Sequence, residues 1–320
     1  MKAIQVQRFG GPEELALTDT TAPKPKAGQV RITVKAAGVN PVDTYIRTGT
    51  YPLKPTLPYT PGMDCAGLVD AVGEGVTGLS SGDRVYTSGS LTGTYAETTL
   101  CSADQAHPLP DRVTFPQGAA LGIPYATAYH ALFHKAKAQS EQTVLIHGAT
   151  GGVGTAAIQL AQAAGLTVLA TAGTESGLQL CRQLGVDHVL DHHDEQRTEQ
   201  IMALTQQQGV DIVLEMLANL NLAIDLEILA QRGAIVIVGN RGTIEINPRY
   251  LMARDASIQG MLLMNASERE KAQIYAGIHQ GLEKGALCPV IDSELPLASA
   301  GQAHQNIIDN PHQGKIVLIP

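Results

Sequence analysis

From Ile146 to Gly154 the chain reads Ile-His-Gly-Ala-Thr-Gly-Gly-Val-Gly. Residues this small let a backbone turn tightly and approach another molecule closely. Thr143-Val144-Leu145-Ile146-His147 reads as a buried strand before the loop, and 155–164 as a helix behind it, stopped by Gly165. Alone, the glycines fit a plain strand-to-helix turn equally well; flanked in this way they fit a dinucleotide loop. Ala149, Gly151 and Gly154 take its three small-residue positions, and Thr150, Gly152 and Val153 complete the path. Free N–H groups at the helix start then face a pyrophosphate. Which dinucleotide is bound turns on the end of the next strand. Sites that prefer NAD carry a carboxylate about 20 residues on, against the ribose 2′-hydroxyl. Ala172-Gly173-Thr174 leaves that place small and uncharged, so NADPH is the expected cofactor, with Glu175 read as facing solvent.

A second set of candidates is aromatic. Seven of the nine tyrosines lie between Tyr45 and Tyr129, in a chain with three Phe and no Trp. A tyrosine is neutral near pH 7, lies flat against a planar ring and donates its O–H to a developing negative charge. Tyr45 and Tyr51, with Tyr59 in the same stretch, are catalytic candidates, and Asn40 is their polar partner. Filling of a β-domain surface is the plainer role for the same residues. Asp43 and Asp64 are expected to be structural, since nothing in the sequence marks a raised pKa. Cys65, Cys101, Cys181 and Cys288 lack the spacing of a metal site or disulfide framework and are expected to be small buried hydrophobes.

These residues need a scaffold. Beyond the glycine loop, strands are expected over 167–172, 188–190, 211–215, 234–238 and 257–261, with helices over 177–184 and 195–208. Continuous apolar strands alternating with helices indicate a parallel sheet covered on both faces. The first third differs. Residues 29–35 alternate polar and apolar like a half-buried strand, and Pro and Gly punctuate 52–93 as in short strands joined by turns, one of them over 84–86. An alanine-rich helical stretch, 119–138, is expected to break at Pro124. The tail carries a helix over 269–283 and a last strand over 315–319, expected to return to the β-rich domain. The expected fold class is α/β: a Rossmann doubly wound parallel-sheet domain, 125–262, inserted in a β-rich catalytic domain made of 1–124 and 263–320.

Composition narrows the function classes. With 320 residues, 44% apolar and 16% charged, the chain can fill two ordinary cores and lacks the signature of disorder. A net charge of −8 and no dense basic run speak against nucleic acid or an anionic membrane as the main partner. The start lacks a secretory pattern, and no apolar stretch reaches about 18 residues. No membrane partner and a cytoplasmic location are therefore expected.

Gly38-Val39-Asn40-Pro41-Val42-Asp43-Thr44-Tyr45-Ile46-Arg47, the loop 147–154, Glu215-Met216-Leu217-Ala218-Asn219-Leu220-Asn221-Leu222 and Gly242-Thr243-Ile244-Glu245-Ile246-Asn247-Pro248-Arg249 share one resemblance. The chain resembles the zinc-free, zeta-crystallin-like quinone oxidoreductase branch of the medium-chain dehydrogenase/reductase superfamily, almost end to end. The resemblance implies a GroES-like catalytic domain, quinone reduction by hydride or single-electron transfer from NADPH, and a homodimer or homotetramer. It places Tyr45 by the nicotinamide, Thr150 to Val153 along the pyrophosphate, and Gly173 and His192 beside the adenosine 2′-phosphate. It implies that Asn221, Val238, Gly239, Asn240 and Arg241 touch the cofactor, with Met261, Leu262 and Leu263 closing the nicotinamide side. Without it, His192 reads as a solvated loop residue, Asn221 as a helix N-cap and 261–263 as core. Relatives usually hold the phosphate with a Lys shortly after Gly173-Thr174. Here Ser176-Gly177-Leu178-Gln179 stands there, leaving Arg182 or Arg241 as substitutes.

Zinc alcohol dehydrogenases resemble this architecture but carry metal ligands. Val39-Asn40 stands near their ligand Cys, Gly62-Met63-Asp64 replaces their Gly-His-Glu, and only Cys101 follows Thr94 where they place four Cys. No zinc site can be assembled from these motifs, so none is expected. Alcohol oxidation then lacks the Lewis acid that drives it. Quinones and activated alkenes need less help, because reduction gives a stabilised phenolate or enolate. Quinones are the expected acceptors. Reduction of α,β-unsaturated ketones, aldehydes or thioesters is the alternative, and an RNA-binding or structural role a more distant one.

Overall fold

The computed structural model describes residues 1–52, 54–309 and 312–320. The chain divides into two compact units, one of residues 125–287 and one of residues 1–124 with 288–320. The first is built on six strands: β1 (Thr143–Ile146), β2 (Thr167–Ala172), β3 (His188–Asp191), β4 (Val210–Glu215), β5 (Leu229–Ile237) and β6 (Ser257–Gly260). All pair in parallel, in the order β3-β2-β1-β4-β5-β6. This is the doubly wound order, whose direction reverses between β1 and β4. Val144, Leu145, Ile146, Val213 and Leu214 are fully buried, as strands covered on both faces require.

Helices Gly152–Ala163, Glu175–Gln183, Arg197–Leu204 and Ala218–Asp225 make the crossovers. Gly165 and Gly185 end the first two with φ of +76° and +79°, a left-handed geometry that glycine adopts without strain. The helix expected over 195–208 is shorter, Arg197–Leu204, because Gln206 and Gln207 take positive φ, 52° and 64°, which a right-handed helix cannot accommodate. The break expected at Pro124 falls at Ala120 and Leu121, between helices Phe115–Ala119 and Gly122–Tyr129, just ahead of the proline. Pro124 lies in the first turn of Gly122–Tyr129, where a missing N–H costs no intrahelical bond. The chain then widens into a π-type turn, His130–Lys135, in which the Ala136 N–H reaches the Ala131 carbonyl at 2.9 Å.

The chain leaves this unit later than the sequence suggests, after Leu287 and not after Leu262. Helix Glu268–Glu283, expected in the returning tail, packs here through Ile274, Ile278 and Leu282. Gly277 sits so close to Tyr129 that a Cβ would lie 2.4 Å from its ring. Apolar periodicity announces a buried stripe but does not name the surface that covers it.

In the other unit, Lys315–Ile319 lies inside a seven-stranded sheet. It pairs in parallel with Ile291–Pro296 and antiparallel with Gln29–Gly38. Gln29–Gly38 also pairs with Asp64–Val72 and Thr98–Ser102. Ile4, Val34, Val39, Tyr95, Ile316 and Leu318 share one core, so the two ends of the chain are packed together.

Candidate active site

In the unit 125–287, every residue that the resemblance attaches to the cofactor follows the C-terminal end of a strand. Ala149 to Gly154 follow β1, Gly173 β2, His192 β3, Asn221 β4, Val238 to Arg241 β5, and Met261 to Leu263 β6. That edge, where the strand order reverses, is where open α/β sheets bind ligands. Gly151 begins helix Gly152–Ala163 without a side-chain cap, so the first-turn N–H groups stay available to an anion. A Cβ on Gly154 would meet the Gly148 carbonyl oxygen at 2.4 Å, and one on Gly239 the Met216 carbonyl oxygen at 2.2 Å. Both glycines keep the backbone cradle narrow, and the cradle fits a dinucleotide.

Around the 2′-phosphate position, Gly173 is half-buried and a Cβ there would lie 2.3 Å from the His192 ring. The His192 N–H donates to the Ala172 carbonyl at 3.0 Å, tying β3's end to β2's. Glu175 faces solvent and holds Arg182 at 3.4 Å, whereas the Arg241 side chain is exposed. Asn221 is not a helix N-cap. It lies within Ala218–Asp225 and donates from Nδ2 to Glu215 Oε1 at 3.2 Å. Nor are residues 261–263 ordinary core: Met261 and Leu263 are half-buried and Leu262 is exposed.

Beneath the loop lies a cluster that the sequence did not signal. His147 Nε2 faces Asp225 Oδ1 at 2.8 Å and Glu215 Oε2 at 3.7 Å, and its Nδ1 meets the Thr171 hydroxyl at 3.1 Å. All are buried. Burial raises both carboxyl pKa values and lowers that of the imidazole. His147 directly follows β1, the others come from β2, β4 and the helix after β4, and Glu215 in turn holds Asn221.

In the other unit, Tyr45 is half-buried on helix Pro41–Arg47 and Tyr51 half-buried just beyond it, with its N–H on the Tyr45 carbonyl at 3.2 Å. Tyr59 has a different role. It exchanges backbone hydrogen bonds with Val6, and burial pushes its hydroxyl up to about 12. Asn40 is fully buried and its side chain is committed: Nδ2 donates to Asp64 Oδ2 at 2.9 Å, and Oδ1 accepts from Lys315 Nζ. Lys315 also reaches Asp64 at 3.2 Å, and the Ile123 N–H donates to the second Asp64 oxygen at 2.9 Å. Asn40 therefore supports the helix that carries Tyr45, with its own N–H on Asp43 at 2.9 Å.

The expectation that Asp43 and Asp64 keep ordinary pKa values is overturned. Burial raises both, Asp43 to about 7, against the opposing pull of hydrogen bonds and of Lys315. A buried chain of donors ends on Asp43. Arg47 Nε donates to His304 Nδ1 at 3.2 Å, which leaves the imidazole proton on Nε2 facing the Tyr95 oxygen at 3.1 Å. Tyr95 then donates to Asp43 at 3.1 Å. Burial pushes His304 down to about 3. Cys65, Cys101 and Cys181 are buried as expected, but Cys288 is exposed.

The profile of the alcohol dehydrogenase GroES-like domain matches residues 26–111, and that of the zinc-binding dehydrogenase domain residues 152–276. The chain is 48% identical over 321 residues to human quinone oxidoreductase, covering all of this chain and 98% of that protein. It belongs to the quinone oxidoreductases of the medium-chain dehydrogenase/reductase superfamily. Its fold is also that of solved quinone oxidoreductases. That of Pseudomonas syringae is 29% identical with a TM-score of 0.89, with 100% of this chain and 99% of that one covered. A mycobacterial protein solved with NADPH is 31% identical with a TM-score of 0.91, both chains being covered in full. As a member of this family the chain is a nicotinamide-dependent oxidoreductase. Among the described residues, no helix is long and apolar enough to cross a membrane.

Proposed function

We propose that the chain reduces quinones with NADPH and without a metal. The observation that carries this reading is the commitment of Asn40 and Asp64 to Lys315, an ammonium ion, in the segments 39–40 and 62–64 that stand in place of the zinc-dehydrogenase ligand motifs. No Lewis acid can be held by such a set, so the acceptor has to supply its own electron sink. NADPH, when bound, supplies the hydride or single electron. The chain's own part is to hold the pyrophosphate on the N–H groups of residues 151–154 and to keep the nucleotide in place from Asn221, 238–241 and 261–263. The O–H of Tyr45 then donates to the acceptor oxygen that gains charge, with Tyr51 beside it. A homodimer or homotetramer belongs to the same reading, as do small-molecule acceptors in place of nucleic acid.

The test is a panel of two-ring and ortho-quinones, enones, simple aldehydes and primary alcohols, assayed with NADPH and NADH in the presence of chelator. Quinones with NADPH are expected to turn over fastest, at a rate the chelator does not change. Faster turnover of enones would transfer the proposal to that substrate class, and loss of activity in chelator would reject the metal-free mechanism.

Preference for NADPH rests on Gly173, with His192 and Arg241 as the groups left for the phosphate once Arg182 is turned to Glu175. Gly173→Asp is expected to weaken NADPH binding by more than NADH binding, because a carboxylate repels the 2′-phosphate and accepts from a 2′-hydroxyl. Part of the loss will be common to both nucleotides, since the new Cβ must displace the His192 ring. Fluorescence titration with each nucleotide separates the two effects, and equal losses would show that Gly173 does not choose between them.

A further inference from the structure

His130 and His134 stand one turn apart on the π-type segment, and Glu270 in the first turn of helix Glu268–Glu283 joins them, all within the unit 125–287. The two imidazoles point the same nitrogen at each other: Nδ1 to Nδ1 is 3.0 Å, with the rings tilted by 75°. One proton at most can lie between them. One ligand atom from each of the three side chains comes within 4.8 Å of the others.

Tetrahedral zinc holds nitrogen and oxygen ligands at about 2.0–2.2 Å, which sets its ligand atoms a little over 3 Å apart. The imidazole pair is already near that spacing. Glu270 is fixed by its capping role, because one oxygen accepts from the Ser267 N–H at 2.8 Å and the Ser267 hydroxyl at 2.7 Å. The other oxygen remains for a metal. His134 and Glu270 are half-exposed, which gives an ion a way in, while His130 is buried behind them.

We propose that His130, His134 and Glu270 form a binding site for one divalent ion of the zinc class, completed by water. Two imidazoles and one carboxylate suit zinc, nickel or copper better than magnesium or calcium. The ion bridges the π-type segment His130–Lys135 to helix Glu268–Glu283, and it stabilises this unit by binding its folded form. Turnover does not require it, so a chelator that empties the site leaves the oxidoreductase working.

The probe is zinc chloride, titrated calorimetrically into chelator-treated full-length protein at neutral pH, with cobalt(II) absorption as a report on ligand geometry. The expected result is saturation near one ion per chain and a thermal midpoint that rises with zinc concentration. Glu270→Gln keeps the helix cap, since Gln serves a capping box as Glu does, but removes the anionic ligand. That variant and His134→Asn are each expected to weaken zinc binding by at least about tenfold. Two half-exposed positions keep the test independent of the buried His130. His192 and His193, with Nε2 atoms 3.1 Å apart, are the competing pair. Absence of saturable binding would overturn the proposal, as would binding that survives both variants and disappears with His193→Asn.

Discussion

Lys315→Met is expected to lower stability by about 3–5 kcal/mol near neutral pH. Lys315 is 3% exposed and its main partner, Asp64, is wholly buried. The substitution leaves a carboxylate in the core with only Asn40 Nδ2 and the Ile123 N–H to neutralise it. Burial already raises the Asp64 pKa, and removing the ammonium raises it further. A carboxyl whose folded pKa stands above its unfolded value destabilises most above the folded pKa, and the penalty fades as pH falls toward the unfolded one. The variant should therefore lose less stability near pH 5 than near pH 8. The double variant Lys315→Met with Asp64→Asn should recover part of the loss, because no ion is then buried. Urea unfolding of the three proteins at both pH values checks this. A loss under about 1 kcal/mol, or one independent of pH, would mean that water reaches the pair.

Tyr45→Phe is expected to lower kcat/KM for quinones by about 10²-fold if Tyr45 is the sole donor to the acceptor in a dry site. The substitution keeps the ring and removes only the O–H. Ring stacking and fold are thereby preserved, and the change should fall mainly on kcat. Tyr51→Phe serves as the comparison, because it tests the other tyrosine of the same stretch in the same way. A shared site would divide the effect between the two, whereas no effect at Tyr45 would remove it from the chemistry. Tyr59→Phe, by contrast, should alter stability more than turnover, given its place against the core.

The parts of the molecule that local pattern controls were legible before any coordinates. Strand β2 lies at the expected 167–172, and the glycine stops at 165 and 185 take the left-handed geometry. The strand-to-helix turn at 147–151 was legible for the same reason: strand, small residues and helix are contiguous. What escaped notice depends on partners far apart in the chain. Lys315 begins an apolar strand and looks like a solvated end, yet its partners are Asn40 and Asp64. Asp43 gave no sign of an altered pKa, because that shift comes from burial, which the residues next to it in the sequence do not announce. Helix Glu268–Glu283 carried an apolar stripe without an address, and so the domain boundary was placed too early.

The strand Lys315–Ile319, interior to the sheet that Gln29–Gly38 helps to build, has a consequence for biosynthesis. A ribosome releases Gln29–Gly38 about 280 residues before Lys315–Ile319, so the unit of residues 1–124 and 288–320 cannot complete its hydrogen-bonded sheet until that later strand has emerged. Residues 125–287 are contiguous and can fold while the tail is still being made. Until that segment arrives, Asp64 lacks its counter-cation, and the end of the Gln29–Gly38 strand, Ala37 and Gly38, lacks its partner on that side. A chain cut before Lys315 should therefore keep residues 125–287 folded while residues 1–124 become protease-sensitive, which limited proteolysis checks.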